Sequence, residues 1–156
     1  MTTYERLLDL ATKENIDVVE TYFESNAKGL CIDNLIAIKS DMPSCEKACI
    51  LAEELAHHKL TVGNILNQNN IDNRKQETLA RKLAITCLLP IENLVSAVKN
   101  GCRNIYEIAD HLNLSEDFVK EAICVYRAKY GASCKIGNET LVFNDLGFYL
   151  KALYSV

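Results

Sequence analysis

Apolar residues recur at three- and four-residue steps through Tyr4, Leu7, Leu8 and Ala11, one stripe of a helix that Thr2 or Thr3 can cap and that should end near Asn15. From Ile16 to Phe23 the chain turns β-branched and aromatic, and two short apolar runs, Gly29 to Ile32 and Leu35 to Ile38, flank the turn pair Asp33-Asn34. This pattern predicts three strands, the last two a hairpin. Met42-Pro43-Ser44 stops the sheet, and Ser44 can cap a helix reaching about Leu60 with Glu46 in its first turn. The polar stretch Asn64 to Asn70 reads as a loop. Asn73 and Gln76 have capping-box spacing for a helix through Leu79, Leu83 and Leu88, which Pro90 closes. Pro90 opens another helix, ended by Asn100-Gly101. Ile105 to Leu112 reads as a short helix. Ser115 caps a longer one, with Glu116 and Asp117 at its start, Arg127 and Lys129 in its last turn and Gly131 behind it. Lys135 to Phe143, around Gly137-Asn138, predicts a final hairpin.

The expected class is α+β in front and helical behind, with parts at residues 1–90 and 91–156. A chain of 156 residues with 49% hydrophobic and 24% charged positions can bury a core, which argues against disorder, coiled coil and fibre. No apolar run approaches the eighteen or so residues of a membrane span, and MTTYERLLDL is too polar for a signal peptide. A cytoplasmic protein away from membranes is expected. A net charge of −4 gives no electrostatic footprint for nucleic acid. Seven cysteines, an odd number with no CxxC pair, suit reduced thiols better than a disulfide framework. Cys31, Cys87 and Cys124 have apolar neighbours and are expected to be buried.

Of three histidines, His57 and His58 stand together in Leu51-Ala52-Glu53-Glu54-Leu55-Ala56-His57-His58. Residues four apart on a helix share a face about 6 Å apart along its axis, so Glu53 and His57 can point at one metal ion. Glu54, about 100° further round, would be free to act on a water bound there. This is the geometry of an H-E-x-x-H zinc motif with glutamate in place of the first histidine. The same spacing also suits an ordinary surface pair. A rotated register would use Glu54 and His58 as ligands, leaving no carboxylate beside the water. Cys49, one turn before Glu53, is either a thiolate ligand or a buried thiol.

The stretch Cys49 to His58, then Val62-Gly63-Asn64-Ile65-Leu66 and Asn73-Arg74-Lys75-Gln76-Glu77, resembles the ImmA/IrrE family of zinc metallopeptidases, in particular its members from phages and mobile elements. The similarity continues through Ala84 to Pro90, Tyr106-Glu107-Ile108-Ala109 and Lys129-Tyr130-Gly131. The resemblance implies a zincin-like front part made of a helix, a short antiparallel sheet and the metal-motif helix. It implies His57 as the second histidine of the motif, Glu54 as general base, Glu53 in the place of the first ligand and Glu77 as the third. The implied activity is cleavage of a helix-turn-helix repressor, which relieves repression; the rival is a pseudo-peptidase that binds such a partner without cutting it. Glu53, His57 and Glu77 together form a hard, anionic donor set, on which Mn2+ or Fe2+ would compete with Zn2+.

Ile108 to Val119 has the spacing of a helix-turn-helix. The start of its second helix carries Glu116, Asp117 and Glu121 against Lys120, a face that repels phosphate. A packing module is expected there, with no direct nucleic-acid partner. An extended substrate is expected on the strand Leu35 to Ile38, taken as an edge.

Overall fold

The computed structural model describes residues 1–63, 70–144 and 147–152. The chain divides into two compact units, Met1–Leu88 and Leu89–Val156. The first contains α1 (Thr3–Lys13), β1 (Asp17–Thr21), β2 (Gly29–Ile32), β3 (Leu35–Lys39), α2 (Ser44–Gly63) and α3 (Asn70–Leu88). Thr2 caps α1 through a complete capping box with Glu5, which satisfies two backbone N–H groups that have no partner inside the helix.

The three strands run in the order β1-β3-β2. β2 and β3 form the expected hairpin, turning at Asp33 with φ 50°. β1, however, lies parallel to β3, so the sheet is mixed where a purely antiparallel one was expected. Burial explains the arrangement. Ile36 and Ile38 of β3 are fully buried and need cover from both sides, whereas β1 is mostly exposed, as an edge strand can be. β3 is therefore the centre of the sheet, and the edges are β1 and β2.

α2 is sandwiched, which is why its sequence lacks a single clean apolar stripe. Ala48, Leu51 and Leu55 pack with Tyr4, Ala11, Ile16, Ile36 and Ile38 from α1 and the sheet. Ala52 and Ala56, on another face, meet Ala80 and Ala84 of α3. Alanines on both helices let the two backbones come close, and the side chains that flank the seam come close with them. Of the three leucines along α3, Leu83 and Leu88 are half-buried and pack beside this seam, Leu79 is exposed, and Ala80, Ala84 and Ile85 are the buried positions among the described residues. α3 also starts at Asn70, ahead of the expected start at Asn73, while residues 64–69 of the expected loop lie outside the described residues.

The second unit contains α4 (Ile91–Lys99), α5 (Ile105–Leu112), α6 (Glu116–Tyr130) and strands β4 (Ser133–Ile136), β5 (Glu139–Asn144) and β6 (Gly147–Ala152). Its helices lie close to their expected limits, and α5 has in Asn104 and Asn113 two caps that were not among the expected signals. Asn104 and Ser115 accept from the backbone N–H groups of Glu107 and Phe118, Asn113 turns in the left-handed region, and Gly131 ends α6. The terminal hairpin is instead a three-stranded meander, β4-β5-β6, because Phe148, Tyr149 and Leu150 extend the β-rich run into one more strand. No disulfide joins any of the seven cysteines, all among the described residues. Cys87 and Cys124 are exposed and Cys31 half-buried, against the expectation of burial: helical position decides it, and both Cys87 and Cys124 fall on the solvent sides of α3 and α6.

Candidate active site

The first unit holds a cavity of about 710 Å3 lined by Gly29, Leu30, Cys31, Asp33, Asn34, Glu54, His57, His58, Thr61 and Glu77. Its floor is one face of α2, one wall is the edge strand β2 with its following turn, and the opposite side is the early part of α3. His57 Nε2 and Glu77 Oε2 stand 3.5 Å apart across the two helices. Glu54 lies against β2, and the approach is very close: a Cβ built on Gly29 would fall 2.7 Å from Glu54 Oε1 and 2.6 Å from Ile50 Cγ2. Only a residue without a side chain lets the strand rest there. The strand covers the carboxyl, and burial raises the Glu54 pKa above the ordinary glutamate value; the His57 ring opposes the rise, and the carboxylates of Glu53 and Glu77 add to it.

Glu53 does not line the cavity. Its Oε1 faces Arg81 of α3 at 3.3 Å. Among the described residues no three His, Cys, Asp or Glu side chains gather closely enough to hold a metal. The donors still suit a divalent ion: an imidazole nitrogen and a carboxylate oxygen already converge at His57 and Glu77, and Glu53 is one helical turn from His57.

His58 points to the other wall, where its Nε2 is 2.9 Å from Asn34 Oδ1. The ring thereby ties α2 to the β2–β3 turn. Cys31, also in the cavity, is held in its thiol form: burial raises its pKa, and the charges of Glu54 and Asp33 raise it further. A thiol so disposed is a poor nucleophile. Cys49 is buried within α2.

A family model described as peptidase M78, the IrrE N-terminal-like domain, matches residues 11–123. The chain belongs to this family. The resemblance to ImmA/IrrE peptidases drawn from Cys49 to Glu77 is thus supported by a match that spans most of the chain, and membership supports a metallopeptidase-type function. No curated protein matches the chain. The cavity under β2 brings the Glu54, His57 and Glu77 side chains together. Two of its features had no signal in the sequence. Gly29 matters only because of the depth at which β2 lies on α2, and Arg81 only because of the way α2 and α3 pair.

Proposed function

We propose that this M78 chain is a phage-type, ImmA/IrrE-like peptidase of the cytoplasm that acts on a helix-turn-helix repressor and so relieves repression. The observation that carries the reading is the convergence of Glu54, His57 and Glu77 on one cavity beside β2, an edge strand among the described residues. Glu53, His57 and Glu77 would hold the metal, Zn2+ first, with Mn2+ or Fe2+ as competitors on so anionic a set. When bound, such an ion supplies Lewis acidity toward the scissile carbonyl and lowers the pKa of water. Glu54 is the general base: its raised pKa brings it nearer to the operating pH, where a carboxylate can both take the proton and return it to the leaving nitrogen.

The sheet order moves the expected substrate strand. β3 is central and fully paired, so an extended peptide would add to β2, whose outer side pairs with no strand among the described residues and whose Gly29, Leu30 and Cys31 line the cavity. This gives a zincin-like arrangement of edge strand over motif helix. In the second unit, α5 and α6 have helix-turn-helix spacing, but Glu116, Asp117 and Lys120 are the exposed residues at the start of α6, and Lys120 is 3.8 Å from Asp117. We read this as a packing module that phosphate would avoid. No described helix is long and apolar enough to cross a membrane.

The Glu53–Arg81 pair favours a second reading, a pseudo-peptidase that binds the repressor without cutting it. Elemental analysis of protein purified without chelator, together with incubation of the co-encoded repressor, decides between the two. The enzyme reading expects one metal per chain, lost in His57→Ala, and a cut repressor. Stable binding of an intact repressor by the metal-loaded protein would leave the pseudo-peptidase.

A further inference from the structure

Two pairs of side chains cross from α2 to α3: Glu53 Oε1 to Arg81 at 3.3 Å and His57 Nε2 to Glu77 Oε2 at 3.5 Å. On each helix the two members are four residues apart, so the pairs are successive rungs between antiparallel helices. The two rungs are set four residues, about 6 Å, apart along the helix axes. Arg81 is charged at any working pH, and its planar fork suits a carboxylate better than a point charge does. The Glu53 side chain is the more sheltered of the two, at 21% exposed against 46% for Arg81. A carboxylate oriented on the guanidinium is not in position to join the other two donors.

We propose that Arg81 is a built-in competitor for Glu53, so that a divalent ion completes its site only by drawing Glu53 off the guanidinium. The proposal rests on the reading of His57 and Glu77 as metal donors. It makes Arg81 the residue that sets metal affinity, from outside the ligand set. The guanidinium acts in two ways. It occupies a ligand, an effect specific to Glu53, and it repels a nearby divalent ion whatever stands at position 53. The pair is partly exposed, so its contribution is modest and the competition tunes the affinity without abolishing binding.

The test is a competition titration of Zn2+ against a chromophoric chelator, using the full chain as wild type, Arg81→Gln, Glu53→Gln and the double variant, with His57→Ala as the reference for loss of the site. Arg81→Gln should tighten zinc about tenfold, whereas in the Glu53→Gln background the same change should gain about twofold, the remainder due to charge alone. Equal gains in both backgrounds overturn the proposal, because Arg81 then acts only as a neighbouring charge. Unchanged or weaker binding in Arg81→Gln overturns it as well, since Arg81 would then be orienting Glu53 toward the ion. Should Arg81→Gln fail to fold, Arg81→Lys keeps the charge and the stem but loses the fork. It is expected to gain about threefold in the presence of Glu53 and nothing without it. Zinc held by Arg81→Gln but not by wild type supports the competition and breaks the metallopeptidase reading. Zinc held by wild type with no effect of Arg81 does the reverse, and zinc held by no variant breaks both.

Discussion

The two units handle polar groups differently. In the second, α4, α5 and α6 bury Leu94, Ile108, Phe118, Val119 and Ile123, and the buried Tyr126 hydroxyl donates to the Leu89 carbonyl at 2.8 Å. In the first, α2 presents a carboxyl and two imidazoles to a cavity, with Glu54 half-covered by β2 and both rungs of the α2–α3 contact made of charged or ionisable groups. A mostly apolar core with capped helices gains its stability from burial and from satisfied hydrogen bonds. A helix contact built from alanine, with titratable groups at its margin, gives up some of that burial and gains a site. Substitutions should therefore divide by unit: those at the cavity should change chemistry or local fit, and those in the second unit should change only stability.

Glu54→Gln gives the largest expected effect. The amide fills the same space but accepts no proton, so turnover on a repressor substrate should fall about 100- to 10,000-fold with metal content unchanged. Metal lost together with activity would show that Glu54 is a ligand and would shift attention to the Glu54 and His58 register. Gly29→Ala comes next. Its methyl meets Ile50 and Glu54 closer than real Cβ contacts come, and the forced shift should destabilise the first unit by about 1–3 kcal/mol in denaturant melts while displacing Glu54. A Gly29→Ala protein of unchanged stability and activity would mean that β2 does not rest on α2 in this way.

Ser115→Ala should cost about 1 kcal/mol, because the Phe118 N–H loses its cap, and it should leave metal binding untouched. A loss of metal in that variant would break the division between the units. The smallest effect concerns alkali. Tyr4 is buried and donates to Glu20, and burial first, then the Glu20 carboxylate, raise its pKa well above the ordinary tyrosine value of about 10. The folded state then holds its proton more tightly than the unfolded state, so this contribution is complete below about pH 10 and is lost as the pH rises above it. Thermal melts from pH 8 to 11 should show a fall above pH 10 that Tyr4→Phe reduces, and identical slopes would remove Tyr4 as the cause.

Much of the architecture was legible because it is encoded locally. Ser115 and Gly131 act through backbone geometry within a few residues, so the limits of α6 follow from the sequence. The gathering of Glu54 and His57 on one side of α2 is equally local, a matter of helical spacing. The parallel pairing of β1 with β3 was not legible, because it depends on which strand needs cover on both sides. Arg81 and Gly29 escaped for the same reason. Each acquires its role from a residue far off in the chain, Glu53 for one and Glu54 for the other. The leucines of α3 do not share one environment: Leu83 and Leu88 pack at the margin of the alanine seam, whereas Leu79 is exposed, a difference set by how α3 pairs with α2.

The two rungs between α2 and α3 also work as an alignment code. The alanine seam, flanked by Leu60, Leu83 and Leu88, has charged pairs at its margin that distinguish one alignment of the helices from another. Sliding one way sets Glu53 opposite Glu77, two carboxylates face to face; sliding the other way sets His57 opposite Arg81, an imidazole against a guanidinium. Only the observed alignment matches acid with base on both rungs. The charged rungs thus add to the packing that favours the observed position of α3, and a charge-reversing change on either helix is expected to weaken that preference.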